Sequence, residues 1–162
     1  MSRFSAVMAT HSAAGTRRLG RRLGRLLEAG DTVLLEGTLG AGKTVLAQGI
    51  AEGLGVDEPV TSPTFTLIHQ YAGRLPLYHA DLYRIAGDAE AAGLGLEDLF
   101  YGDGVTIVEW ASRARGLFPA DHLRLSLKSG AATRREIAVE GVGLRFARLV
   151  QRMCPPETGS AL

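Results

Sequence analysis

The residues Gly37-Thr38-Leu39-Gly40-Ala41-Gly42-Lys43-Thr44 constrain this 162-residue chain more than any other stretch. They match G-x-x-x-x-G-K-[ST], a phosphate-binding loop that joins a buried strand to a helix. At this composition a chance match is expected at roughly four in a thousand. The flanks agree with the motif. Thr32–Glu36 is an almost continuously apolar run, as a strand buried on both faces reads. Lys43–Leu54 resumes helical spacing through Val45, Leu46, Ile50 and Leu54, and Gly55 stops it. The residue types also suit the chemistry. Glycines let successive N–H groups converge on one anion. The helix start adds about half a positive charge. Lys43 supplies a compact cation for β- and γ-phosphates, and the Thr44 hydroxyl is a hard oxygen for Mg²⁺.

The rest of the chain reads as alternating elements. Ser12–Ala29 predicts a helix with Leu19, Leu23, Leu26 and Leu27 on one stripe, ended by Gly30-Asp31. Phe65–Tyr71 and Leu75–Ala80 predict two strands joined by a turn at Ala72–Gly73, and Val105–Trp110 a buried strand. Leu123–Leu127 and Glu136–Val139 alternate apolar and polar, as an antiparallel pair with one wet face does. Leu144–Val150 predicts a closing helix. The order predicts an α/β fold of P-loop NTPase-like type: a mixed β-sheet with helices on both faces, in three α/β/α layers. One domain over residues 1–154 is expected, with the polar, proline-bounded 155–162 as a disordered tail.

A P-loop enzyme needs a carboxylate at a strand end to hold or orient Mg²⁺. Glu109 ends the run VTIV and Asp81 follows LPLYHA, so both are candidates. Ser62-Pro63-Thr64 reads either as a loop that senses the γ-phosphate or as an ordinary proline turn. His79 reads as a general base or as a packed, hydrogen-bonded strand residue. Trp110 reads as stacking on a base, seating a partner, or filling the core. Arg17, Arg18, Arg21, Arg22 and Arg25 form either a solvated helix face or a docking surface for an acidic partner or RNA.

Composition excludes several classes. Lys+Arg is 18 against 17 Asp+Glu, a balance that argues for neither a DNA-binding nor a membrane-binding protein. A single cysteine, Cys154, excludes disulfide frameworks and Cys-based zinc sites. No apolar run approaches the roughly 18 residues of a membrane span, and the N-terminus lacks signal-peptide order, so a cytoplasmic protein is expected. The chain contains no Asn.

Four segments in order carry a resemblance: Leu39-Gly40-Ala41-Gly42-Lys43-Thr44, Ser62-Pro63-Thr64-Phe65, His79-Ala80-Asp81-Leu82-Tyr83-Arg84 and Glu109-Trp110. Together they resemble the TsaE (YjeE) family, the bacterial ATPase of tRNA threonylcarbamoyladenosine biosynthesis. The likeness runs from Thr16-Arg17-Arg18-Leu19-Gly20 to Arg135-Glu136-Ile137, nearly the whole chain. It implies ATP and Mg²⁺ as cofactors and weak hydrolysis by the isolated protein. It implies TsaB and TsaD as partners, with tRNA engaged indirectly through them at adenosine 37. By position it implies that Lys43, Glu109 and Asp81 are catalytic and that Thr44, Glu109 and Asp81 serve the metal. It implies a nucleotide-binding set of Thr16, Leu39, Gly40, Ala41, Gly42, Lys43, Thr44, Val45, Thr64, Trp110 and Arg135. Thr38 and Ala111-Ser112 depart from the family's acidic residue and its Pro-acidic pair.

A P-loop small-molecule kinase is the alternative, weakened because Ala86–Gly95 is short and carries no Arg for a lid. A GTPase needs an Asn-Lys-x-Asp guanine reader, which a chain without Asn cannot supply. A module that binds nucleotide without hydrolysing it sits poorly with an intact Lys43, Thr44 and Glu109. Charge at the γ-phosphate also calls for a positioned Arg, for which Arg84, Arg134, Arg135 or a partner are the candidates.

Overall fold

A computed structural model describes residues 2–38, 40–63 and 67–154. Among these described residues seven strands form one sheet: β1 (Arg3–Thr10), β2 (Thr32–Gly37), β3 (Ile68–Tyr71), β4 (Leu77–Asp81), β5 (Val105–Glu109), β6 (His122–Ser129) and β7 (Arg135–Val142). Their spatial order is β1-β7-β6-β2-β5-β4-β3. The central strands β6, β2, β5 and β4 run parallel, whereas β1 and β7 on one side and β3 on the other are antiparallel to their neighbours. Among the described residues the helices are α1 (Ala13–Leu26), α2 (Lys43–Gly53), α3 (Asp88–Ala92) and α4 (Leu144–Met153). The expected mixed sheet with helices on both faces is therefore present. The layers are unequal, however. Leucines of α1, aliphatics of α2 and Phe146, Leu149 and Val150 of α4 share one core with Val33, Leu35, Ile107 and Leu125 of the sheet. The opposite face is covered by Ala91 of the short α3 and by 3-10 turns at Leu96–Asp98 and Ala111–Ala114, packed on Leu34, Ala80 and Val108.

The sequence signals explain the local structure. Ser12 caps α1, its Oγ accepting from Gly15 N at 2.9 Å. Arg74, reaching from the β3–β4 connection, donates to the carbonyls of Gly24 and Leu27 at 2.7 and 2.9 Å and satisfies the other end. The helix consequently stops at Leu26, short of the expected Ala29. Along α1 and α2 four glycines interlock. A Cβ on Gly20 would stand 2.6 Å from Leu46 O, and Gly24, Gly49 and Gly53 oppose Ile50, Arg17 and Arg21 carbonyls as tightly. No side chain fits there, so the two backbones lie in direct contact. The loop helix is thereby fixed against α1.

Four other expectations need correction. Strand β1 was not expected; its outward Val7 is 67% exposed, so the apolar alternation that marks a half-buried strand is blurred. The expected strand Phe65–Tyr71 is interrupted at Leu67, which sits at φ 65°, and β3 runs from Ile68; residues 64–66 lie outside the described residues. β4 starts at Leu77, and the connection from Tyr71 is longer than a two-residue turn, with Arg74 N donating to Leu54 O at 2.7 Å within it. Residues 88–114 hold α3 and both 3-10 turns, too short to show a period. The tail 155–162 lies outside the described residues.

Candidate functional site

The β2–α2 loop turns on two left-handed glycines, Gly40 at φ 80° and Gly42 at φ 104°. Gly42 is the N-cap of α2, so the first free N–H groups of that helix begin at Lys43. Ala41 is buried beneath the loop and its N–H donates to Thr38 O at 3.1 Å. Leu39 lies outside the described residues.

Across from the loop stand the ends of β4 and β5. Their parallel register sets Asp81 beside Glu109, the two strand-end carboxylates singled out from sequence. Both are buried. Each is held by its own donors. Asp81 accepts from Ser62 Oγ at 3.1 Å and from Tyr83 N at 2.9 Å. Glu109 Oε2 lies 2.6 Å from His79 Nε2. Lys43 is buried between the loop and the carboxylates. Its Nζ donates to Gly37 O at 2.5 Å and sits 3.6 Å from the centre of the Trp110 ring. Burial pushes the Lys43 ammonium below its usual pKa, and the charges of Glu109, Asp81 and Glu36 oppose that shift.

Trp110 occupies the left-handed region at φ 58°, a conformation unusual for a bulky residue and one that collects at functional sites. It is half-buried, with the Tyr83 ring 4.9 Å away and the Arg113 guanidinium 6.0 Å from its centre. It lines the site and also packs against the core cluster of Leu34, Ala80 and Val108. Together these groups border a hollow of about 310 Å³, lined by Lys43, Thr44, Ser62, Asp81, Glu109 and Trp110 along with the loop glycines.

A second hollow of about 190 Å³ opens on the other side of the same loop, sharing Gly40, Gly42 and Val45. Thr16, Ala13, Thr133 and Arg135 complete its lining. Thr16 is held by a 2.7 Å hydrogen bond to Thr10 Oγ1. Thr133 Oγ1 donates to His11 O at 2.6 Å and ties the β6–β7 connection to the start of α1. Arg135 spends its Nη1 on the carbonyl of Arg134 at 2.9 Å.

The structure thus brings Gly40, Gly42, Lys43, Thr44, Val45, Asp81, Glu109 and Trp110 around one side of the loop, and Thr16 and Arg135 around the other. Thr64 lies outside the described residues. The first hollow's lining includes none of Arg84, Arg134 and Arg135 among the described residues. Sequence reasoning missed Tyr83, Arg113, Ala13 and Thr133, which reach the site only through chain folding. It weighed His79 without finding its partner, although His79, Asp81 and Glu109 occupy strand-end positions on one face. The arginines of α1 are partly accounted for: Arg17 and Arg21 pair with Glu52 of α2, and Arg22 donates to Met153 O of α4. Burial raises the pKa of the Cys154 thiol, so it is no poised nucleophile.

A strand–glycine loop–helix unit in a mixed sheet, with paired carboxylates facing the loop lysine, defines a P-loop NTPase-like α/β protein. Comparison with known proteins narrows the class. A family model described as threonylcarbamoyl adenosine biosynthesis protein TsaE matches residues 10–137, and the chain belongs to that family. It is 45% identical over 130 residues to the tRNA threonylcarbamoyladenosine biosynthesis protein TsaE of Treponema pallidum, spanning 80% of this chain and 96% of that one. It is 41% identical over 139 residues to the Bacillus subtilis protein of the same name, spanning 85% and 87%. The crystal structure of YdiB from Bacillus subtilis superposes with a TM-score of 0.83 at 35% identity, covering 94% of this chain and 96% of that one.

Proposed function

We propose that this protein is the ATP-binding, ATP-hydrolysing component of tRNA threonylcarbamoyladenosine biosynthesis, working with TsaB and TsaD on adenosine 37. Family membership supports the pathway. The observation that carries the ATPase reading is the single hollow in which Lys43 and Thr44 face Asp81 and Glu109. A nucleotide laid across the loop would put its phosphates in that hollow and its base in the second one, beside Thr16, Val45 and Arg135. The backbone N–H groups at the start of α2 would receive phosphate oxygens. A triphosphate would compete with Gly37 O and the Trp110 ring for the three donors of the Lys43 ammonium.

The residues present suit Mg²⁺. Thr44 and the two carboxylates offer hard oxygens, while no group of three or more His, Cys, Asp and Glu able to hold a metal occurs among the described residues. That pattern fits an ion that takes its remaining ligands from phosphate and water rather than from a protein cage. When bound, Mg²⁺ would neutralise charge on the phosphates. Among the described residues Lys43 is the one cation lining the hollow. A partner-supplied Arg, of the kind that adds ~10³–10⁵-fold in other P-loop enzymes, therefore explains a slow isolated protein. No helix among the described residues is long and apolar enough to cross a membrane, in keeping with action on tRNA in the cytoplasm.

Phosphate release measured across a titration of TsaB and TsaD tests the reading. A slow basal rate that rises with the pair, and that Lys43→Ala abolishes while the fold persists, is expected. A fast basal rate indifferent to the pair, or a Lys43→Ala variant at the parent rate, would refute it.

A further inference from the structure

His79 is fully buried in β4, and a buried imidazole needs partners for two ring nitrogens. It has one. Nε2 meets Glu109 Oε2 at 2.6 Å, whereas Nδ1 has no partner among the described residues. Leaving a buried polar atom unpaired costs stability, and an aliphatic side chain of similar volume would serve the core better. The histidine is therefore explained by what its paired nitrogen does.

We infer that His79 is a positioning residue: its Nε2–H donates to Glu109 Oε2 and fixes the orientation in which that carboxylate meets the divalent cation of a bound nucleotide. The inference rests on the nucleotide reading above. The strand register supplies the geometry. β4 and β5 set His79 opposite Ile107 and Asp81 opposite Glu109, so His79 stands two residues deeper on the same face and reaches Glu109 diagonally. Glu109 lines the first hollow, and the hydrogen bond from His79 engages its Oε2 alone. Asp81 is turned independently, by Ser62 and the Tyr83 amide. Two adjacent carboxylates would repel and rotate apart; separate donors hold each in place. The proton on Nε2 is assigned from this network.

The test compares two polar replacements of different reach. In His79→Gln the amide nitrogen can take the place of Nε2. In His79→Asn it falls near Nδ1, short of Glu109. Calorimetric titration of ADP into each full-length protein, in EDTA and then in Mg²⁺, reads the metal contribution without turnover. All three proteins are expected to bind ADP alike in EDTA. The gain in affinity on adding Mg²⁺ should survive in His79→Gln and fall ~10–100-fold in His79→Asn, the usual range for removing a group that orients a metal ligand. A full metal gain in His79→Asn, an equal loss in both variants, or ADP binding lost in EDTA as well would overturn the positioning role. A parent protein that binds ADP in neither condition would instead bring down the nucleotide reading, and this inference with it.

Discussion

The two hollows beside the phosphate loop share glycines but are built by different means. In the first, chemistry is dense: Lys43, Asp81, Glu109 and His79 are all buried, and both carboxylates are held by side-chain or backbone donors. In the second, the walls are Ala13, Val45, an Arg135 that donates to the Arg134 carbonyl, and threonines whose hydroxyls are spent on other parts of the chain. Its Ala13, Thr16 and Val45 walls ride on α1 and α2, whose backbones touch at Gly20, Gly24, Gly49 and Gly53. One hollow is thus defined by charge, the other by position. Substitutions on the two sides should separate turnover from nucleotide affinity.

The largest effect is expected at Glu109. Glu109→Gln neutralises a buried carboxylate where, on the proposed reading, the hollow would meet the phosphates. Hydrolysis is expected to fall ~10²–10³-fold, the range for losing one fixed electrostatic group, while ADP affinity in EDTA stays near the parent value. Steady-state phosphate release paired with calorimetry checks both. Parallel loss of affinity would erase the distinction between the hollows.

Gly24→Val tests the other side. Its branched side chain must enter a gap that already excludes a Cβ, against Ile50 O and Gly53. Overpacking of this kind costs about 3 kcal/mol, or roughly 6–12 °C in thermal midpoint for a domain of this size. Because α1 carries Thr16, ADP affinity should fall as well. A variant with unchanged midpoint and affinity would show that the interlock does not set the second hollow.

A smaller effect follows from Lys43. Burial lowers its pKa below 10.5 in the free protein, and phosphate beside it would raise the pKa again. On the proposed reading, nucleotide binding would therefore take up a proton between the two values. Affinity is expected to be full below the free-protein pKa and to weaken as pH rises through that window, by at most tenfold per pH unit. In Lys43→Ala this alkaline limb should vanish. An affinity independent of pH in the parent would place Lys43 away from the phosphates.

Much of the first hollow was legible before folding. The loop motif identified Lys43 and Thr44, and strand-end positions identified Glu109 and Asp81, because local pattern and chemistry coincide there. The second hollow was less so. Thr133 comes from the β6–β7 connection, and its place follows from a hydrogen bond to His11 more than a hundred residues away. The glycines of α1 and α2 were visible as residues, but their mutual contact is a property of the packed pair. Strand β1 was hidden for a different reason. Its pairing with β7 supplies the structure, while Val7 and Ala9 on the outer face cancel the alternation that would have revealed it.

The central claim, that phosphates and base occupy opposite sides of one loop, is tested most directly with a ligand that has no base. Arg135 belongs to the second hollow and donates to the Arg134 carbonyl, so on the proposed reading it would stand as a wall beside the base. Calorimetry should compare ATP with inorganic tripolyphosphate in the parent and in Arg135→Ala. ATP affinity is expected to fall about tenfold in the variant, as for the loss of one good contact, with tripolyphosphate affinity unchanged. Equal weakening of both ligands would place Arg135 on the phosphates and contradict the division between the two hollows.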